Sequence, residues 1–190
     1  MKQIHSFDEL RQIKDTKVYA LGTFDGIHRG HQRVIRKAVE EAASVNGVSI
    51  IITFEDHPLT ILHPERVPKR LIQEDIMNTV IESLQVDYIL RLPMTEALLN
   101  MRADEFLDAL CKDTNVEAIV VGENFTFGAK GLGNPEYMKQ VLADKAIQVL
   151  VQPLLPCDGL STPISSTEIR KAIREGRLED ATHWLGRPFQ

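Results

Sequence analysis

The chain is poor in the features that mark secreted, membrane-spanning or nucleic-acid-binding proteins. It has only two cysteines in 190 residues. Cys111 and Cys157 stand far apart with no ligand-like spacing, which predicts reduced thiols and argues against a disulfide framework or a zinc site. Positive charge is in deficit, with 22 lysines and arginines against 27 aspartates and glutamates for a net charge of −5. No broad cationic face for nucleic acid or an anionic membrane is expected, although that balance leaves room for a local basic pocket. Long hydrophobic runs are missing too. The longest, around Val48 to Phe54, falls far short of a bilayer-spanning helix, and the first turns are too polar for a secretory signal core. These absences leave the cytoplasm as the expected compartment and small molecules as the expected partners. What remains is an ordinary globular composition, 43% hydrophobic and 26% charged, over a length that suits one domain with a full core.

The most informative stretch is Gly22-Thr23-Phe24-Asp25-Gly26-Ile27-His28-Arg29-Gly30-His31. An apolar run, Val18 to Leu21, precedes it. An amphipathic segment follows, with Val34, Ile35, Ala38, Val39 and Ala42 at helical spacing. The order is strand, tight loop, helix N-terminus. Gly22 and Gly26 let the backbone turn and approach a ligand, while the free N–H groups and dipole of the helix favour an anion. His28 and His31 share a face if the helix begins near His28, so two imidazoles could meet phosphate oxygens. A simple capped turn or a metal-binding histidine pair remains open on these residues alone.

The rest of the chain predicts an α/β domain. Ser6 and Glu9 have capping-box spacing for a short helix through Ile13. The first long helix is expected to end at Asn46-Gly47, with the glycine as left-handed cap, before a buried strand over 48–54. Glu55-Asp56-His57-Pro58 and the basic residues Arg66, Lys69 and Arg70 follow that strand and are expected at the same crevice, because ligands in open α/β sheets bind outside the carboxyl ends of the strands. A plain turn and a solvated basic face would also explain them. Ile76, Met77, Val80, Ile81 and Leu84 mark a helix face assigned to the core. Further strands are expected at 88–92, 118–122 and 147–151, and helical material at 95–112 with a break near Asn100-Met101-Arg102; the alternation implies βαβ crossovers. After Gly122, Phe125 and Phe127 lie in a Gly-rich stretch with Lys130. It could cover a flat ring or cradle phosphate, or the aromatics could anchor the loop to the core. Asn134-Pro135 opens a helix.

A second helix N-terminus lies at Ile164-Ser165-Ser166-Thr167-Glu168-Ile169-Arg170. Ser165 and Glu168 have capping-box spacing, and the helix is expected to close at Gly176. Capping explains Ser165. The remaining hydroxyls and Arg170 would add donors and a fixed cation for a polyphosphate.

His-x-Gly-His behind Gly-x-Phe-Asp-Gly resembles the signature loop of the nucleotidylyltransferase superfamily. Together with Thr53-Phe-Glu-Asp-His-Pro58, Val121-Gly-Glu-Asn-Phe-Thr-Phe-Gly128, Ile164-Ser-Ser-Thr-Glu-Ile-Arg170 and Leu185-Gly-Arg-Pro-Phe189, in this order, it is similar to the FMN adenylyltransferase domain of bacterial FAD synthetases. The resemblance covers essentially the whole chain. Asp56 replaces a proline common in the family, and Asn124 an aspartate. The implied fold is a Rossmann-like parallel sheet flanked by helices, one domain over residues 1–190. The chain stops after Gly186-Arg-Pro-Phe, where bifunctional members continue into a riboflavin kinase domain, so adenylylation without riboflavin phosphorylation is expected.

The resemblance implies that ATP and FMN give FAD and pyrophosphate, with Mg2+ arriving on ATP and no direct protein ligand to metal. His28, His31, Asn124 and Arg170 would be catalytic. Gly22, Thr23, Phe24, Asp25, Gly26, Ser165, Ser166 and Thr167 would bind ATP phosphates, Asp25 as an orienting group or loop cap. His57, Pro58, Phe125 and Phe127 would line the flavin. Two other readings share parts of this sequence: a related transferase with another acceptor, such as a pantetheine-like one, and a flavin or nucleotide sensor without catalysis. An RNA-ligase reading conflicts with the chain's size, its acidity and its lack of an RNA-binding module.

Overall fold

Strand and helix alternate along the chain in a computed structural model that describes residues 1–112, 114–159 and 161–189. The order is β1 (Lys2–Ile4), α1 (Phe7–Gln12), β2 (Lys17–Leu21), α2 (Arg29–Ser44), β3 (Val48–Phe54), α3 (Leu59–Leu62), α4 (Glu74–Ser83), β4 (Tyr88–Leu92), α5 (Glu96–Asn100), α6 (Ala103–Cys111), β5 (Val116–Gly122), α7 (Pro135–Leu142), β6 (Gln148–Gln152), α8 (Ser166–Arg174) and α9 (Leu178–Leu185). The six strands form one sheet in the order β1-β4-β3-β2-β5-β6, with all neighbours parallel.

Parallel strands covered on both faces need apolar side chains at successive positions, not at alternate ones. The sequence supplies them. Tyr19, Leu21, Ile50, Ile52, Ile119 and Val121 point into one layer, against Phe106, Leu107 and Leu110 of α6 and Met138 of α7. Val18, Ala20, Ile51, Ile89, Ala118 and Val120 point into the other, against Val34, Ile35 and Ala38 of α2 and Ile81 of α4. A third cluster, with Leu71, Ile164, Ile169, Ala172, Trp184 and Leu185, seats α8 and α9 beyond the sheet. From central β2, successive crossovers run outward through β3 and β4, then return to β5 on its other side. The switch point therefore lies where β2 and β5 end, at Leu21-Gly22 and Gly122.

The α1 cap at Ser6, the break between α5 and α6 at Met101-Arg102 and the Asn134 cap of α7 agree with the sequence. Cys111 and Cys157 are both free and buried, and burial pushes the Cys111 thiol up to about 11. Three expectations change. The left-handed residue after α2 is Asn46, at φ +50°, and not Gly47. Gly47 instead donates its N–H to the Ala42 carbonyl at 2.8 Å, and a Cβ there would come 2.3 Å from the Thr16 carbonyl oxygen. Close approach, not handedness, requires that glycine. Strand β1 and helix α9 were not expected: β1 is a three-residue edge strand with one buried side chain, too short to show a period. Among the described residues no helix is long and apolar enough to cross a membrane.

Candidate active site

The loop after β2 is wound through conformations that side chains resist. Phe24, Gly26 and Ile27 have φ of +50°, +78° and +39°. A β-branched residue there costs on the order of 1–3 kcal/mol and persists only when the surroundings hold it. Phe24 and Ile27 are held by burial, at 1% and 0% exposure. The backbone carbonyls are held by side chains from four elements or their flanks. The Thr23 carbonyl accepts from Thr53 Oγ1 at 3.1 Å, that of Asp25 from Ser166 Oγ at 2.9 Å, that of Gly26 from Arg187 at 2.6 Å, and that of Ile27 from Gln32 Nε2 at 3.0 Å. With those acceptors occupied, the N–H groups of Phe24, Asp25 and Gly26 have no acceptor among the described residues. A run of free amides in such a turn is an anion-binding concavity.

His28 is the N-cap of α2, and its Nδ1 accepts the His31 N–H at 3.3 Å. That contact fixes the neutral tautomer, with the proton on Nε2. The two rings stack at 3.6 Å between centroids and 18° between planes, and the Phe24 ring meets His31 edge-on at 5.3 Å. Burial pushes the His28 imidazole down to about 4, with a further push from the Arg187 charge; burial and the neighbouring His28 hold His31 well below its ordinary range. Both imidazoles are therefore neutral hydrogen-bond donors at neutral pH. His31 Nδ1 is buried without a partner among the described residues, so part of this pair's polar capacity is unspent.

The N-terminus of α8 meets the same loop. Ser165 caps α8 by accepting the Glu168 N–H at 3.2 Å. Arg170 pairs with one Asp25 carboxylate oxygen and donates from Nε to the Lys69 carbonyl at 2.8 Å, while the other Asp25 oxygen accepts the Leu71 N–H at 3.0 Å. Asp25 thus acts as a strut between the two helix mouths and the segment before α4.

Two cavities open on either side of Thr23. One, of about 250 Å3, is lined by Gly22, Thr23, Phe24, His28, His31, Asn124, Phe125 and Ser165, with Gln152 to Leu155 after β6. The other, of about 240 Å3, holds Thr23, Asp25, His57, Ser166, Thr167 and Arg170 against an apolar wall of Phe54, Val67, Pro68, Ile72 and Met77. His57 Nδ1 accepts the Leu59 N–H at 3.1 Å, leaving Nε2–H as its donor, and partial burial with the Arg170 charge nearby lowers its pKa. A third concavity, of about 540 Å3, is an open trough along Arg29, Arg33, Arg36 and Lys37 that borders the histidine cavity through Gln152 and Leu155. Its basic rim raises the local concentration of anions.

The structure divides what the sequence grouped. The four flavin-lining candidates do not share a wall. Phe125 lies with the histidines, His57 lies in the second cavity, and Pro58 begins α3 without lining either cavity. Phe127 is 5% exposed and packed against Phe106 and Tyr137, so it is core and anchors its loop. Ser165 faces the histidine cavity, whereas Ser166, Thr167 and Arg170 face the other. Of the basic residues expected at the crevice, Arg70 reaches the second cavity, while Arg66 pairs with Glu65 on the surface. Met77, assigned to the core by its spacing, also lines the second cavity. Gln152 to Leu155 were missed, although their place after the carboxyl end of a strand beside the switch point could have found them. Among the described residues no group of three or more His, Cys, Asp or Glu side chains is gathered as a metal site.

A parallel α/β sheet with two helix N-termini converging on an amide-rich loop at its switch point defines the class: a Rossmann-like α/β domain with two cavities side by side at the carboxyl ends of its strands. The family model described as FAD synthetase matches residues 10–168, and the chain belongs to that family. A bifunctional riboflavin kinase/FMN adenylyltransferase of Buchnera aphidicola (subsp. Schizaphis graminum) is 32% identical over 191 residues, covering 100% of this chain and 61% of the relative. Its Bacillus subtilis counterpart is 34% identical over 194 residues, covering 100% of this chain and 60% of the relative. This chain thus spans about 60% of the length of those relatives. A crystal structure titled as a macrolide-efflux protein from Streptococcus pneumoniae superposes with a TM-score of 0.85 at 27% identity, covering 98% of this chain and 70% of that one.

Proposed function

We propose that this chain transfers the adenylyl group of ATP to the phosphate of FMN, giving FAD and pyrophosphate. The observation that carries the reading is the meeting of two cavities at Thr23, each with its own helix mouth, both tied to the Asp25 strut. The histidine cavity takes ATP. The second, with an apolar wall for a flat ring system and Arg170, Ser166 and Thr167 near its mouth, takes FMN. Its phosphate then faces the α-phosphorus across Thr23.

The FMN phosphate is an anion at neutral pH, so no residue has to remove a proton from the nucleophile. One phosphate oxygen bonds to the α-phosphorus as the bond to the β-phosphate bridging oxygen breaks, and pyrophosphate leaves in line. His28, from Nε2, and His31 stacked beside it both donate to the phosphates, and Asn124 borders the nucleotide. The free amides after β2 meet charge that grows on the phosphate oxygens. Magnesium arriving with ATP would supply charge neutralisation at the phosphates; the described residues lining the histidine cavity present hydrogen-bond donors there, so nucleotide oxygens and water would hold the ion.

The test incubates the protein with FMN, riboflavin, ATP and magnesium, separately and together, and identifies flavins chromatographically. FAD from FMN and ATP is expected, with pyrophosphate in equal amount. Riboflavin, which lacks the phosphate nucleophile, is expected to stay unchanged with these 190 residues. No FAD under these conditions, or transfer only to a pantetheine-like acceptor, overturns the reading.

A further inference from the structure

Arg187 holds the same loop but lines neither of the two cavities. Its guanidinium donates to the Gly26 carbonyl at 2.6 Å and to the Ile27 carbonyl at 3.3 Å, with a longer contact of 3.5 Å to the Leu185 carbonyl. It is half-buried, and among the described residues no carboxylate pairs with it. Arg91, Arg170 and Arg177 all have such partners. Withdrawing a permanent charge from water against neutral carbonyls alone is a poor way to gain stability. The arrangement is intelligible if those carbonyls are what has to be held.

We propose that Arg187 is a positioning residue for adenylyl transfer, drawing the Gly26 and Ile27 carbonyls back so that the loop's free amides and His28 are presented to phosphate. The proposal rests on the adenylyl-transfer reading above. Three of the four residues from Phe24 to Ile27 lie in the left-handed region, so the loop needs external restraint. Gln32 shares the Ile27 carbonyl from α2 and also donates to the Leu185 carbonyl at 2.9 Å, so it bridges α2 and α9 without reaching the Gly26 carbonyl that Arg187 holds. Arg187 comes from beyond α9, outside the span that the family model matches, and fixes the loop to the cluster that seats α8. One helix mouth is thereby registered against the other. The cation also sits beside an anion site, where it adds positive potential without contacting the ligand, and its charge opposes protonation of His28.

The experiment compares wild type with Arg187→Met and Arg187→Lys in the full chain, measuring kcat, KM for FMN, and ATP affinity by calorimetry without FMN. For Arg187→Met we expect kcat to fall about 10- to 100-fold and ATP affinity at least 5-fold, while KM for FMN stays within about 2-fold. Arg187→Lys recovers part of the loss. Millimolar guanidinium ion restores rate to Arg187→Met and does nothing for wild type. The His28 resonances of Arg187→Met titrate at higher pH. Wild-type kcat and ATP affinity in Arg187→Met overturn the proposal. So does a general collapse in which KM for FMN rises equally and neither lysine nor guanidinium helps. If wild type makes no FAD, the parent reading fails separately, and the ATP affinities still decide whether Arg187 sets the loop.

Discussion

Acidification is expected to weaken this fold through His28. Its imidazole titrates at about 4 in the folded protein against an ordinary 6.5, because burial disfavours the charged form. Above 6.5 both folded and unfolded chains hold it neutral, and its contribution to stability is complete. Between 6.5 and about 4 the unfolded chain binds a proton that the folded chain refuses, so stability falls as pH falls. At 1.36 kcal/mol per unit, the loss reaches about 2 kcal/mol at pH 5. His31 shifts the same way and adds to it. The assay is urea unfolding at pH 7.5 and pH 5 for wild type and His28→Asn. Asparagine keeps an acceptor for the His31 N–H at the N-cap, so the helix start survives while the titration is removed. Carboxylates contribute nearly equally to both proteins. Wild type should lose about 2 kcal/mol more than His28→Asn between the two pH values; equal losses would refute the buried, neutral assignment.

Replacing His31 by alanine should raise the barrier to transfer by about 2–4 kcal/mol, as removal of an oxyanion donor does, and steady-state kinetics with FMN should show kcat falling with KM for FMN little changed. The two aromatics after β5 should part company: Phe127→Ala should cost about 3–5 kcal/mol in denaturant unfolding, whereas Phe125→Ala should leave stability nearly intact and raise KM for ATP. Gly47→Ala should destabilise by about 1–3 kcal/mol, because its Cβ would force the Thr16 carbonyl aside; a thermal midpoint unchanged within a degree would contradict the close approach seen at that turn.

Apart from the edge strand β1, the sheet was legible because its strands are continuous apolar runs and the helices between them carry a clear period and recognisable caps. Ser6, Asn134 and Ser165 announce helix starts by chemistry that acts within four residues, which is why the sequence places them well. The loop after β2 and the start of α8 were legible for the same local reason. What could not be read depends on contacts across the chain. Whether Phe127 lines a site or fills the core turns on Phe106 and Tyr137. The two-cavity division turns on Thr23 standing between walls drawn from five parts of the sequence. Neutral histidines could not be inferred either, since their pKa depends on burial that no spacing reveals. Arg187 had a motif around it but no visible task, because its partners are about 160 residues away.

That separation gives the order of synthesis a consequence. The histidine loop leaves the ribosome before Ser166, Arg170 and Arg187, which brace it from 141 to 161 positions downstream. At 5–20 residues per second the interval is roughly 7–30 s. A growing chain therefore carries its signature long before the signature has a shape, and the loop takes that shape only when α8 and α9 dock.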